Sequence, residues 1–72
     1  SRSLMIDGLI EYNLKLQARA IDQFKKLLNI TYDPAADATP LYGAVNARLD
    51  EAIRLQKRIV YLERLKLNGK QN

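Results

Sequence analysis

The sequence predicts an all-α fold in which two long amphipathic helices form an antiparallel hairpin, and hairpins assemble into a four-helix bundle as a homodimer or larger oligomer. Three observations lead there. From Thr39 to Leu67, apolar residues recur at helical spacing behind a clear start signal. A second stretch, from Leu4 to Leu28, has the same periodicity. Both apolar faces span about half the helix circumference, which is wider than the seam of a two-stranded coiled coil requires.

The first helix is expected over residues 4–28, with Ser3 as its cap and Asp7 in its early turns. Lys25 and Lys26 near its end complement the negative end of the helix dipole. Ile6, Leu9, Ile10, Leu14, Leu16, Ala20, Ile21, Phe24, Leu27 and Leu28 form the apolar face. On the polar strip, Glu11 precedes Lys15 and Asp22 precedes Lys26 by one turn, the favourable order for i,i+4 ion pairs. Gly8 lies on the polar side and costs about 1 kcal/mol of helix propensity relative to Ala.

Residues 29–39 are the connection. Pro34 disfavours helix at Asp33 and removes a backbone donor, and Asp33-Pro34 suits a short turn through Ala35 and Ala36. Ile30 and Tyr32 are too apolar for a freely solvated loop and are expected to fold back over the end of the bundle.

The second helix is expected over residues 40–67. Thr39 serves as its N-cap, and Pro40 presets φ at a position where no N–H is needed. Leu41, Ala44, Val45, Leu49, Ala52, Ile53, Leu55, Ile59, Val60 and Leu62 share one half of the circumference. Asp50, Arg54, Lys57, Arg58, Tyr61 and Arg64 take the other. Gly69 is available for a left-handed helix stop, leaving residues 68–72 as a frayed tail. The whole of 1–72 is one domain.

A symmetric connection pairs Leu28 with Leu41, Phe24 with Val45, Gln17 with Ala52, Asn13 with Gln56 and Ile10 with Ile59. Asn13 and Gln56 both interrupt apolar faces and arrive at one level, so they are expected to form a buried polar pair that fixes register. The residues expected at helix-packing and oligomer interfaces are Ile10, Ile21, Phe24, Leu28, Val45, Leu49, Ile53, Ile59 and Leu62. Two helices meeting along one line leave part of each wide face uncovered, so the remainder must meet another chain.

Composition narrows the function. The 72 residues contain no cysteine and no histidine, which removes disulfides, thiolate metal sites and the commonest general base. Asp50 and Glu51 are adjacent carboxylates that point in different directions around the helix. Gly-rich phosphate loops and nucleophile elbows are absent from the sequence. No catalytic, cofactor or metal site is therefore assigned, and the chain is read as non-enzymatic. There is no apolar run of bilayer length, and the expected location is the cytoplasm.

The net charge is +4 and is unevenly placed. In residues 1–40, Arg2, Lys15, Arg19, Lys25 and Lys26 balance Asp7, Glu11, Asp22, Asp33 and Asp37. The excess lies beyond, where Arg48, Arg54, Lys57, Arg58, Arg64, Lys66 and Lys70 outnumber Asp50, Glu51 and Glu63. Arg54, Lys57, Arg58 and Arg64, with Tyr61 among them, form a cationic strip on a rigid rod. The expected function is oligomerisation or protein interaction, as an adaptor, an assembly or regulatory subunit, or a self-association domain of a longer chain. The partner is itself or another helical protein, with no small-molecule substrate. The alternative is a basic helical dimer that binds RNA or DNA through that strip.

Overall fold

A computed structural model describes residues 2–30 and 33–71, except for the side chains of Lys70 and Gln71. Two helices, α1 (Arg2–Leu28) and α2 (Thr39–Gln71), run antiparallel and pack against each other along their length. No strand occurs among the described residues. None of the described helices is long and apolar enough to cross a membrane. The hairpin is a rod of 61 × 14 × 11 Å.

The helix ends differ from expectation at three points. α1 is already helical at Arg2, so Ser3 lies inside it and does not cap it. At the start of α2 the capping oxygen comes from Asp37. Its Oδ1 accepts both the Thr39 backbone N–H at 3.0 Å and the Thr39 hydroxyl at 2.8 Å. The Ala38 carbonyl accepts from the Tyr42 N–H at 3.0 Å, which begins the helical ladder one residue before Thr39. The two hydrogen bonds that Thr39 donates, the backbone one first, hold the Asp37 carboxyl below the ordinary carboxylate range.

Finally, α2 runs through Gln71, and no described glycine has a positive φ, so Gly69 continues the helix instead of stopping it. A single glycine costs only about 1 kcal/mol in a helix interior and does not end one unless a left-handed turn forms there. The turn at Asp33 is as the sequence implies. Asp33 Oδ1 accepts from the Ala35 N–H at 2.9 Å and its carbonyl accepts from the Ala36 N–H at 2.9 Å. Ile30 is 52% exposed but borders depressions on both sides of the connection end. Tyr32 lies outside the described residues.

The seam between the helices is narrow. On α1 the residues turned inward are Ile6, Ile10, Asn13, Gln17, Ala20, Phe24 and Leu27, spaced alternately by four and three. On α2 they are Leu41, Val45, Arg48, Ala52, Leu55, Ile59, Leu62 and Lys66, with the same alternation. That heptad spacing is what a two-helix seam needs, and it uses only part of each apolar face. The buried apolar side chains are Ile6, Ala20, Leu55, Ile59 and Leu62.

One expected level is seen directly, Gln17 beside Ala52, whose carbonyl accepts from Gln17 Nε2 at 3.3 Å, while the longer side chains reach across to neighbouring levels. Arg48 Nη1 donates to Gln23 Oε1 at 3.1 Å, Arg58 Nη1 lies 3.4 Å from Asn13 Oδ1, and Lys66 pairs with Asp7. The expected i,i+4 pairs form, Lys15 to Glu11 at 3.6 Å and Lys26 to Asp22 at 3.0 Å. All four side chains are well exposed, so each pair contributes little to stability.

Candidate interaction surface

A second heptad stripe lies beside the seam on each helix. On α1 it comprises Ile10, Leu14, Gln17, Ile21, Phe24 and Leu28. On α2 it comprises Tyr42, Leu49, Ile53, Gln56, Val60, Glu63 and Leu67. The helical period brings the two stripes to one side of the hairpin, where they make a continuous face. Three shallow depressions mark it. One is bordered by Leu28, Tyr42, Leu41 and Val45 at the connection end. A central one of about 310 Å³ is lined by Gln17, Ile21, Phe24, Arg48, Leu49, Ala52, Ile53 and Gln56. The third, at the open end, is lined by Asp7, Ile10, Glu63, Lys66 and Leu67.

Seven of the thirteen exposed large apolar residues fall on this face: Leu14, Ile21, Leu28, Tyr42, Leu49, Ile53 and Leu67. Of the other six, Met5, Leu9 and Tyr12 follow one another at helical spacing on the opposite flank of α1, and Leu4, Ile30 and Tyr61 lie apart from them, so the open face holds the largest group. A larger depression of about 520 Å³ lies on the opposite side, over Ala44 and Ala47. It is lined by Gln23, Lys26, Leu27, Ile30, Ala44, Ala47 and Arg48 and is confined to the connection end, which makes it shorter than the stripe.

The expected interface residues divide between two surfaces. Ile59 at 3% exposure and Leu62 at 8% belong to the intramolecular seam. Ile10, Phe24 and Val45 are half-buried at its margin. Ile21, Leu28, Leu49 and Ile53 are 39% to 60% exposed on the open face. Leu14, Tyr42, Val60 and Leu67 complete that face, although the sequence reading did not single them out as interface residues. The signal for them was a second heptad phase, since Leu14, Ile21 and Leu28 are seven apart, as are Ile53, Val60 and Leu67.

Asn13 and Gln56 do not bond each other. Asn13 is buried at 3% exposure, and its Nδ2 donates to the Leu9 carbonyl one turn back at 2.7 Å. Gln56 is exposed, and its Oε1 accepts from Gln17 Nε2 at 2.9 Å. The partners are exchanged: Gln56 bonds Gln17, and the Arg58 guanidinium reaches Asn13. Gln17 Nε2 also donates to the Ala52 carbonyl at 3.3 Å, which ties the middle of α1 to α2.

Arg54, Lys57, Tyr61 and Arg64 are exposed on the outer side of α2, away from the seam. Arg58 is exposed too, but its guanidinium reaches across to Asn13. Comparisons with protein-family models, with curated proteins and with solved structures find no match.

Proposed function

We propose that this chain is a non-enzymatic helical assembly module that covers its open apolar face with a second copy, forming a homodimeric four-helix bundle. The observation that carries the reading is surface area. A folded monomer of 8.2 kDa exposes about 4,500 Å². This chain exposes 5741 Å², roughly 1,200 Å² more than that expectation. Obligate dimers bury about 1,000 Å² or more per partner, so the excess is the size of one such interface. The radius of gyration agrees. It is 17.0 Å, where a compact domain of this length has about 11 Å.

A second copy is the economical occupant because it brings a matching face. Both copies would present the same two heptad stripes, and pairing them buries every exposed member of the set at once. Sedimentation equilibrium at micromolar concentration tests the proposal. It should give twice the chain mass. A compact 8.2 kDa monomer that unfolds cooperatively would overturn it, and a dimer that appears only with a second, different chain would replace the homodimer by a heteromer.

The second reading, a dimer that binds RNA or DNA, is supported by the exposure of Arg54, Lys57, Tyr61 and Arg64 along one outer line of α2. Those cations lie outside the apolar face, so phosphate contact and self-association would be compatible. Counterion release separates the two, because nucleic-acid affinity falls steeply between 50 and 200 mM salt while an apolar helix interface changes little.

A further inference from the structure

Gln17 and Gln56 are polar side chains in the middle of the open face, and their hydrogen-bonding capacity is only partly used. The two hydrogens of Gln17 Nε2 are both engaged, by Ala52 O at 3.3 Å and Gln56 Oε1 at 2.9 Å. Gln17 Oε1 and Gln56 Nε2 have no partner among the described residues. The pair therefore presents one free acceptor and one free donor at the same level, beside the central depression lined by Ile21, Leu49 and Ile53.

An acceptor and a donor held side by side are complementary to themselves under a two-fold rotation. We infer that Gln17 and Gln56 form the polar layer that sets register and orientation in the self-associated chain, with Gln56 Nε2 of each copy donating to Gln17 Oε1 of the other. This rests on the self-association reading above. A second copy brings the matching donor and acceptor to this level by symmetry, where any other partner would have to place both there. Four amides closed in a ring satisfy one another. Covering the face with a purely apolar partner would instead leave one donor and one acceptor buried and unsatisfied.

The experiment is sedimentation equilibrium of the unaltered chain and of Gln17→Leu, Gln56→Leu and the double Gln17→Leu/Gln56→Leu variant. Each single change strands the partner amides and should weaken self-association about 5- to 100-fold, while the double change should recover most of that loss. If the amides do not meet across the interface, each leucine adds apolar contact, both single variants associate more tightly and the effects add. That pattern overturns the inference. Gln56→Glu is a second variant that keeps an oxygen accepting from Gln17 and replaces the outward N–H donor with a charged carboxylate oxygen. It should weaken association at pH 7 and recover as acid supplies a carboxyl O–H donor; unchanged association at pH 7 overturns the inference. A monomeric unaltered chain defeats the self-association reading and this inference together. An intact dimer indifferent to Gln17 and Gln56 defeats this inference alone.

Discussion

Replacing Ile53 with alanine separates the open face from the intramolecular seam. Ile53 is 46% exposed in the single hairpin, so nearly half of its burial is left for a partner to supply. Full burial of an isoleucine side chain is worth about 1.5 to 3 kcal/mol. The uncovered part is then worth roughly 0.7 to 1.4 kcal/mol per chain, or about 1.4 to 2.8 kcal/mol per two-fold dimer. Ile53→Ala should therefore raise the dimer Kd by about 10- to 100-fold. The assay is sedimentation equilibrium over a range of concentrations, with Tyr61→Ala as the control. Tyr61 is more exposed than Ile53, at 61%, but stands on the outer side of α2, and its loss should leave the Kd unchanged. Equal effects from the two variants, or no effect from Ile53→Ala, would refute the assignment of the face.

Three further outcomes follow from the same structure. Ile59→Asp places a carboxylate in the seam, where Ile59 is 3% exposed, and should abolish folding and association together at a cost of several kcal/mol; unchanged thermal unfolding would show that the helical phase is wrong. Gly43→Ala should stabilise the fold by about 0.5 to 1 kcal/mol, because the position is helical, has no positive φ and leaves open space around an added Cβ; a lower melting temperature would contradict that. Asp37→Ala should lower the melting temperature at neutral pH. The folded-state pKa of Asp37 is depressed, so its contribution is present above the unfolded-state pKa and fades as pH falls through the folded one. The difference between the two proteins should therefore shrink in acid, and a difference independent of pH would remove Asp37 from the cap.

The helices and their wide faces were legible in the sequence because periodicity records burial directly. Leu41, Val45, Ala52, Leu55, Ile59 and Leu62 lie on the seam, and Leu49 and Ile53 on the open face, yet all belong to one apolar arc. The division of that arc between an intramolecular and an open side depends on how the helices are phased against each other, which composition does not encode. The polar pairing was harder still. Gln17 meets Ala52 as the symmetric pairing implies, but which polar side chains bond across the helices depends on where each one points, and Gln56 turns to Gln17 while Arg58 reaches Asn13. Thr39 and Asp37 are both good capping residues two positions apart, so residue type alone could not choose between them. Gly69 carried a stop signal that acts only when the chain turns back, and no such turn follows it among the described residues.

The central claim is that the open face is covered when the chain is folded, and the concentration dependence of thermal unfolding tests it most directly. When folding and association are coupled, mass action makes the melting temperature rise as the chain is concentrated. The account predicts such a rise across a hundredfold range of concentration, diminished in Ile53→Ala. A melting temperature independent of concentration, in a chain that sediments at 8.2 kDa, would contradict it.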